Sequence, residues 1–185
     1  MPGHRPKKMG GHTIFTLPHV INPLVPFNKE LLYKMIFDSV SETLLQFGRD
    51  PKWLGAQIGF FGILHSWGGK LWSHLHIHLI VPAGGVDDNG QWVEPKYKGR
   101  FLFPVRAVSE VYRGKFVEKL KCAYRQGQLT LPDGHRHLSD PKRFERYIYG
   151  SAEVVGLMCL RAFLAAPDGP ADRGAAYDAL APGAR

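Results

Sequence analysis

The segment His74 to Pro82 reads HLHIHLIVP, with histidines at every second position. In a β-strand, successive side chains point to opposite faces. His74, His76 and His78 would then share one face, and Leu75, Ile77, Leu79 and Val81 the other. Imidazoles in that arrangement can hold a metal ion, contact a phosphate, or line a solvated sheet face. A rise of ~3.4 Å per residue puts i and i+2 ~7 Å apart and i and i+4 ~14 Å apart. A metal–imidazole bond is ~2.0–2.1 Å long. One ion can therefore take His74 with His76, or His76 with His78, but hardly His74 with His78. Further ligands must come from elsewhere. His65, at the end of the preceding apolar run, is the first candidate, and His12 and His19 are weaker ones. Soft thiolate ligands are missing, so a hard divalent ion such as Mg²⁺ or Mn²⁺ fits, its shell completed by carboxylate, water or phosphate. His135 and His137, in PDGHRHL, read as a solvated turn, and His4 is terminal.

A second chemistry-bearing stretch runs from Lys96 to Arg125, with nine Lys or Arg against two Glu. Tyr97, Phe101, Phe103, Tyr112, Phe116 and Tyr124 are interleaved. Cations beside planar rings suit single-stranded nucleic acid, through phosphate neutralisation and base stacking. Lys96, Lys98 and Arg100, beside the histidine segment, are candidates for phosphate contact, followed by Arg106, Arg113 and Lys115. The bland reading is a solvated helix face with Phe116 and Tyr124 in the core. Tyr147 and Tyr149, as RYIY, lie two apart and so on different faces of a helix. No serine or cysteine has a histidine pattern that suggests a catalytic triad.

These residues need elements to position them. HTIFTLP (12–18) alternates as a strand, and Pro18 and Pro23 bracket a turn. Asn28 is a candidate cap for a helix to Phe47, with Leu31, Leu32, Met35, Ile36, Val40, Leu44 and Phe47 as its apolar stripe and Gly48 at its end. AQIGFFGIL (56–64) is apolar on both faces, as expected of a buried central strand. HSWGG reads as a turn into the histidine strand, and PAGGVDDNGQW as a turn-rich loop. RFLFPV (100–105) is a strand candidate. Ser109 is a candidate cap for a helix to Gln126 that turns Val111, Tyr112, Phe116, Leu120 and Tyr124 inward. Ser139 or Asp140, ahead of Pro141, starts a third helix carrying Phe144 and Tyr147. Loose alternation without a βαβ signature favours α+β.

A length of 185 residues suits one ordinary domain, and 44% hydrophobic with 22% charged content suits a globular one. The formal charge of +8 favours a polyanionic partner. Cys122 and Cys159 make neither a disulfide framework nor a metal knuckle, which points to a reducing cytosol. The N-terminus lacks a signal-peptide apolar core, and apolar runs stop short of the ~18 residues of a membrane span. Residues 165–185 hold 14 Ala, Gly or Pro with no helical period, the composition of a disordered tail.

Two resemblances add to this. HLHIHLI is similar to the histidine-triad signature of nucleotide hydrolases and transferases, although the lead here is GGKLWS rather than a glycine-rich lead with glutamine. A longer likeness joins FTLPHVINPL, NKELLYKMIFDSVSETLLQFG, IGFFGILHSWGGKLWSHLHIHLIVPAGG and FLFPVRAVSEVYRGKFVEKL. Together these resemble the transposase domain of rolling-circle, two-tyrosine insertion-sequence transposases, which are HUH (His-hydrophobic-His) endonucleases. That resemblance implies an α+β fold, an antiparallel sheet with flanking helices and the histidines on its exposed face. It implies DNA transposition by metal-dependent cleavage and transfer of single-stranded DNA at transposon ends, in the bacterial cytoplasm. Its metal pair maps onto His76 and His78. His74 matches an accompanying histidine, and His65 is the third ligand by analogy with related HUH enzymes. Neither the family's cysteine-rich zinc-binding segment nor its YLGRY-like tyrosine motif has a match. The expected organisation is therefore a flexible 1–11, an incomplete transposase core over 12–150 and a divergent, partly disordered 151–185, from a truncated copy without the tyrosine nucleophiles. A non-catalytic single-strand-binding remnant is the remaining alternative.

Overall fold

The computed structural model describes residues 11–17, 19–67, 73–96, 102–133 and 138–147, with the side chains at 19, 20, 67, 73 and 74 outside that description. Three strands form one antiparallel sheet: β1 (Gly11–Thr16), β2 (Phe61–Trp67) and β3 (Ser73–Val81). Their order is β1-β3-β2, so the histidine strand is the middle one. β3 keeps the expected two-residue period. Leu75, Ile77, Leu79 and Val81 are buried, whereas His76, His78 and Ile80 lie on the other face. Burying an aliphatic side chain of this size contributes roughly 1.5–3 kcal/mol.

Helix α1 (Lys29–Arg49) follows a 3-10 segment, His19–Phe27, and α2 (Val105–Arg125) follows the strands. On α1, Leu32, Met35, Ile36, Val40, Leu44 and Phe47 are buried as its stripe requires, and Leu31 is partly so. On α2, Tyr112, Phe116 and Leu120 are buried, and Val111 and Tyr124 partly so. The two helices share one core with the apolar face of the sheet. Phe15 of β1 meets Tyr112 edge-on at 4.9 Å, and Phe47 of α1 meets Phe103 at 5.5 Å. At their rim Glu42 of α1 binds Lys119 at 2.7 Å and Lys115 at 3.7 Å on α2. This is the expected α+β arrangement, with helices against one face and the histidines on the other.

Five expectations need correction. AQIGFFGIL is not a central strand. The strand starts at Phe61, flanks β3, and leaves Phe61 (62%) and Ile63 (51%) exposed. An apolar run with no alternation cannot show which residues face outward. HSW is not a turn, because β2 runs through Trp67, with an irregular ladder between His65 and Trp67. Residues 102–105 of RFLFPV form no strand. Pro104, with ψ of 119°, is extended and α2 begins after it, a turn earlier than a Ser109 cap would allow. Ser109 is buried inside that helix. Asn28 occupies the N-cap position of α1 without a side-chain cap bond. Its amide is buried and donates to the carbonyls of Leu24 (2.8 Å) and Thr130 (2.9 Å), while its oxygen accepts from the Thr130 N–H (2.8 Å). A side chain committed to a loop 102 residues away is not available to its own helix.

Smaller features complete the frame. The PAGGVDDNGQW loop folds into a minimal hairpin, β4 (Gly85–Val86) with β5 (Trp92–Val93). Gly84 enters it at a φ of 156°, where a Cβ would stand 2.5 Å from the Val93 carbonyl oxygen. Residues 141–147 are helical, and Asp140 caps them by accepting the Arg143 N–H at 2.9 Å. Of the segment 1–11 expected to be flexible, residues 1–10 lie outside the described residues and Gly11 opens β1; the expected tail, 151–185, also lies outside them.

The face assignment of β3 makes two neighbours behave oppositely. Ile77→Ala should lower the unfolding free energy by about 2–5 kcal/mol. Ile80→Ala, on the open face, should change it by less than about 0.5 kcal/mol. Urea unfolding of the two variants measures both. Equal effects would mean that the strand is not one-sided.

Candidate metal centre

The register of the sheet builds this site. Across β2 and β3, His65 pairs directly with His76, and Ile63 with His78. Directly opposed residues share a face, with Cβ atoms about 4.5–5.5 Å apart, and diagonal neighbours remain within reach of long side chains. His65 therefore meets His76 across the ladder and His78 on the diagonal. The ring centroids lie 5.2 Å apart for His65–His76, 4.4 Å for His65–His78 and 5.0 Å for His76–His78. One ring nitrogen from each of the three falls within 4.8 Å of the other two. Two nitrogens bound to one ion at about 2.0–2.1 Å are at most about 4.2 Å apart. Three nitrogens sharing one ion lie no more than about 3.6 Å apart when evenly spaced, so rotation of the rings would have to draw the set inward; the donor types themselves fit a metal. An ion held by these three would keep room for water or phosphate on the open face of the sheet.

The donor type discriminates among ions. Three neutral imidazoles suit first-row transition ions, whereas Mg²⁺ prefers oxygen ligands.

On β1 the partner of His78 is Ile14, and His12 lies opposite Ile80 on the same open face. The Nε2 of His12 stands 2.9 Å from the Nδ1 of His78. His12 was expected only as a weak donor. Its contact depends on the register between two strands, which neither strand's sequence displays. His74 belongs to β3, but its side chain lies outside the described residues, as does that of His19. Phe61, Ile63 and Ile80 add an exposed apolar border to the histidines, which the apolar runs did not reveal.

The basic candidates on α2 are placed elsewhere. Arg106, Arg113 and Lys115 lie on α2, which packs against the apolar face of the sheet, away from the histidines. Arg106 pairs with Glu110 at 3.1 Å, and Lys115 with Glu42. Lys96 is exposed and donates to the Pro51 carbonyl. Lys98 and Arg100 lie outside the described residues. Among the tyrosines, Tyr112 is buried, and the Tyr124 hydroxyl donates to the Ser139 carbonyl at 2.5 Å. Burial pushes Tyr147 up to about 12, and Tyr149 lies outside the described residues.

Three comparisons bear on this arrangement. The profile of the family described as "Putative transposase" matches residues 59–153, just over half of the chain and including both strands of the histidine cluster. A curated "Putative transposase y4qJ" from Sinorhizobium fredii (strain NBRC 101917 / NGR234) is 41% identical over 138 residues, 74% of this chain and 34% of that protein. The transposase for insertion sequence element IS801 from Pseudomonas savastanoi pv. phaseolicola is 40% identical over 81 residues, 44% of this chain and 19% of that protein. The chain thus spans about a third or less of these relatives. Among solved structures, the conjugative relaxase TrwC, in a metal-bound complex with oriT DNA, is similar in fold at a TM-score of 0.52 and 17% identity, over 97% of this chain and 70% of that one. Among the described residues, no helix is long and apolar enough to cross a membrane.

The cluster has an electrostatic signature of its own. His78 is held below the usual histidine value of about 6.5, chiefly by desolvation and further by the neighbouring His65, His76 and His12. Between its own titration point and about 6.5, the unfolded chain carries a proton on this ring that the folded chain does not. Stability therefore rises with pH through that window and is lost as pH falls through it. NMR titration of the metal-free protein should place the His78 midpoint below that of an ordinary histidine. A midpoint at or above the ordinary value would mean that the rings do not converge.

Proposed function

The chain belongs to the "Putative transposase" family, and on that premise we propose that it is the metal- and DNA-handling core of an insertion-sequence transposase. It binds single-stranded DNA at transposon ends over the open face of the sheet. The observation that carries this reading is the convergence of His65, His76 and His78 from two strands onto one set of ligand atoms. A divalent ion held there would neutralise and polarise a scissile phosphate for strand cleavage and transfer. The chain's own residues do the positioning. β3 fixes two ligands by its two-residue period, and the pairing of β2 with β3 brings in the third. Phe61, Ile63 and Ile80 border the ligands with apolar surface on which unpaired bases can rest. The metal-bound DNA complex of the relaxase of similar fold agrees with this use of the scaffold.

Attack on the phosphate needs a nucleophile, and this reading assigns none of the chain's tyrosines that role. Tyr147 holds its proton to about 12, and Tyr112 is buried in the core. Strand cleavage is accordingly proposed for the whole protein, and metal and single-strand binding for this chain. The histidine-triad alternative gives His65 no task, whereas a three-imidazole centre uses it.

Mn²⁺ should bind the chain with one strong site in isothermal titration. His65→Ala or His76→Ala should weaken it by about tenfold or more. A short single-stranded oligonucleotide should bind more tightly with Mn²⁺ than without, and binding should weaken steeply with salt. Unchanged Mn²⁺ affinity in both variants, or release of AMP from a nucleoside phosphoramidate without metal, would overturn the reading.

A further inference from the structure

The three-imidazole centre leaves His12 without a part. Its Nε2 lies 2.9 Å from the Nδ1 of His78, which is hydrogen-bond distance. It also stands outside the group whose ligand atoms lie within 4.8 Å of one another. That combination describes a residue that touches a ligand without joining the ligand set. A neutral imidazole carries one N–H and one bare nitrogen, and the bond made by one nitrogen fixes what the other can do. If the Nδ1 of His78 is used toward His12, its Nε2 is the nitrogen left for an ion.

We propose that His12 is a positioning residue for the metal centre. It accepts a hydrogen bond from Nδ1–H of His78, and so holds His78 in the tautomer and ring orientation that present Nε2 as the ligand atom. The inference rests on the three-histidine centre and adds to it the selection of a ligand atom by a fourth histidine. Outer partners of this kind ordinarily receive the second N–H of a metal-bound histidine, and removing them lowers metal affinity about 10–100-fold. For the roles to match, His12 must keep its own proton on Nδ1 and offer Nε2 as the acceptor. β1 delivers it there because the β1–β3 register places His12 opposite Ile80 and one step diagonal to His78, on the same open face. The two rings also lie near one another at 28° between planes, with centroids 5.0 Å apart, which limits how far His78 can turn.

The test reads the tautomer directly, without metal. In long-range ¹H–¹⁵N spectra of the metal-free chain, at a pH where the rings are neutral, His78 should appear as the Nδ1–H tautomer. In His12→Phe it should revert toward the Nε2–H form common in free histidine, and Mn²⁺ affinity should fall about tenfold. His12→Gln, whose side-chain oxygen can replace the acceptor, should recover part of both. A wild-type His78 in the Nε2–H tautomer, or undiminished Mn²⁺ binding by His12→Phe, would overturn the proposal. His65→Ala serves as the control. If it loses Mn²⁺ while His12→Phe does not, the centre stands and the role of His12 falls. If neither loses Mn²⁺, the centre itself falls.

Discussion

The two-residue period of β3 is the constraint on which the other features rest. One strand carries two unrelated duties on alternating side chains. Leu75, Ile77, Leu79 and Val81 anchor the sheet in the core, and the same alternation presents His76 and His78 to the open face. Slipping the strand by one residue would bury the imidazoles and expose four aliphatic side chains, so the register is strongly specified. The free energy of the core thus fixes the direction of the imidazoles. No separate interaction is required to point them outward.

β2 and β1 extend that constraint sideways in different ways. β2 supplies His65 directly opposite His76, and its ladder is irregular just beyond that residue. Irregularities of this kind re-aim side chains and are common beside functional sites. β1 supplies His12, which touches His78 without joining the group of three. Partial burial, and then the neighbouring His65, His76 and His12, make His78 costly to charge and lower its titration. The same surroundings that disfavour a proton on His78 leave its imidazole the more readily available to a cation. The helices take the other face. Among the described residues, cations of α2 are drawn partly into pairs with Glu42, Glu110 and Glu145, on the side of the sheet away from the histidines.

Much of this is legible in the chain because it is periodic. The alternation in β3 and the stripe on α1 depend only on side-chain spacing, and both appear in the structure as read. The α+β arrangement and the open histidine face follow from them. What failed to show was set by tertiary partners. Phe60, Phe61, Ile63 and Leu64 are apolar whichever way they point, so the run could not reveal that β2 flanks the sheet and bares two of them. The Phe and Val of RFLFPV have strand propensity, yet Pro104 ends the extended chain and the helical stripe of Tyr112, Phe116 and Leu120 continues upstream to Val105. Asn28 has the chemistry of a cap and spends it on Thr130. The His12–His78 contact needs the β1–β3 register, a property of the pair of strands.

Manganese-soaked crystals, measured at the metal's absorption edge, put the central claim to the most direct test. The predicted result is a single anomalous peak within bonding distance of one nitrogen each from His65, His76 and His78, on the open face of the sheet. A peak whose ligands leave out His65, or that lies away from β3, would contradict the account.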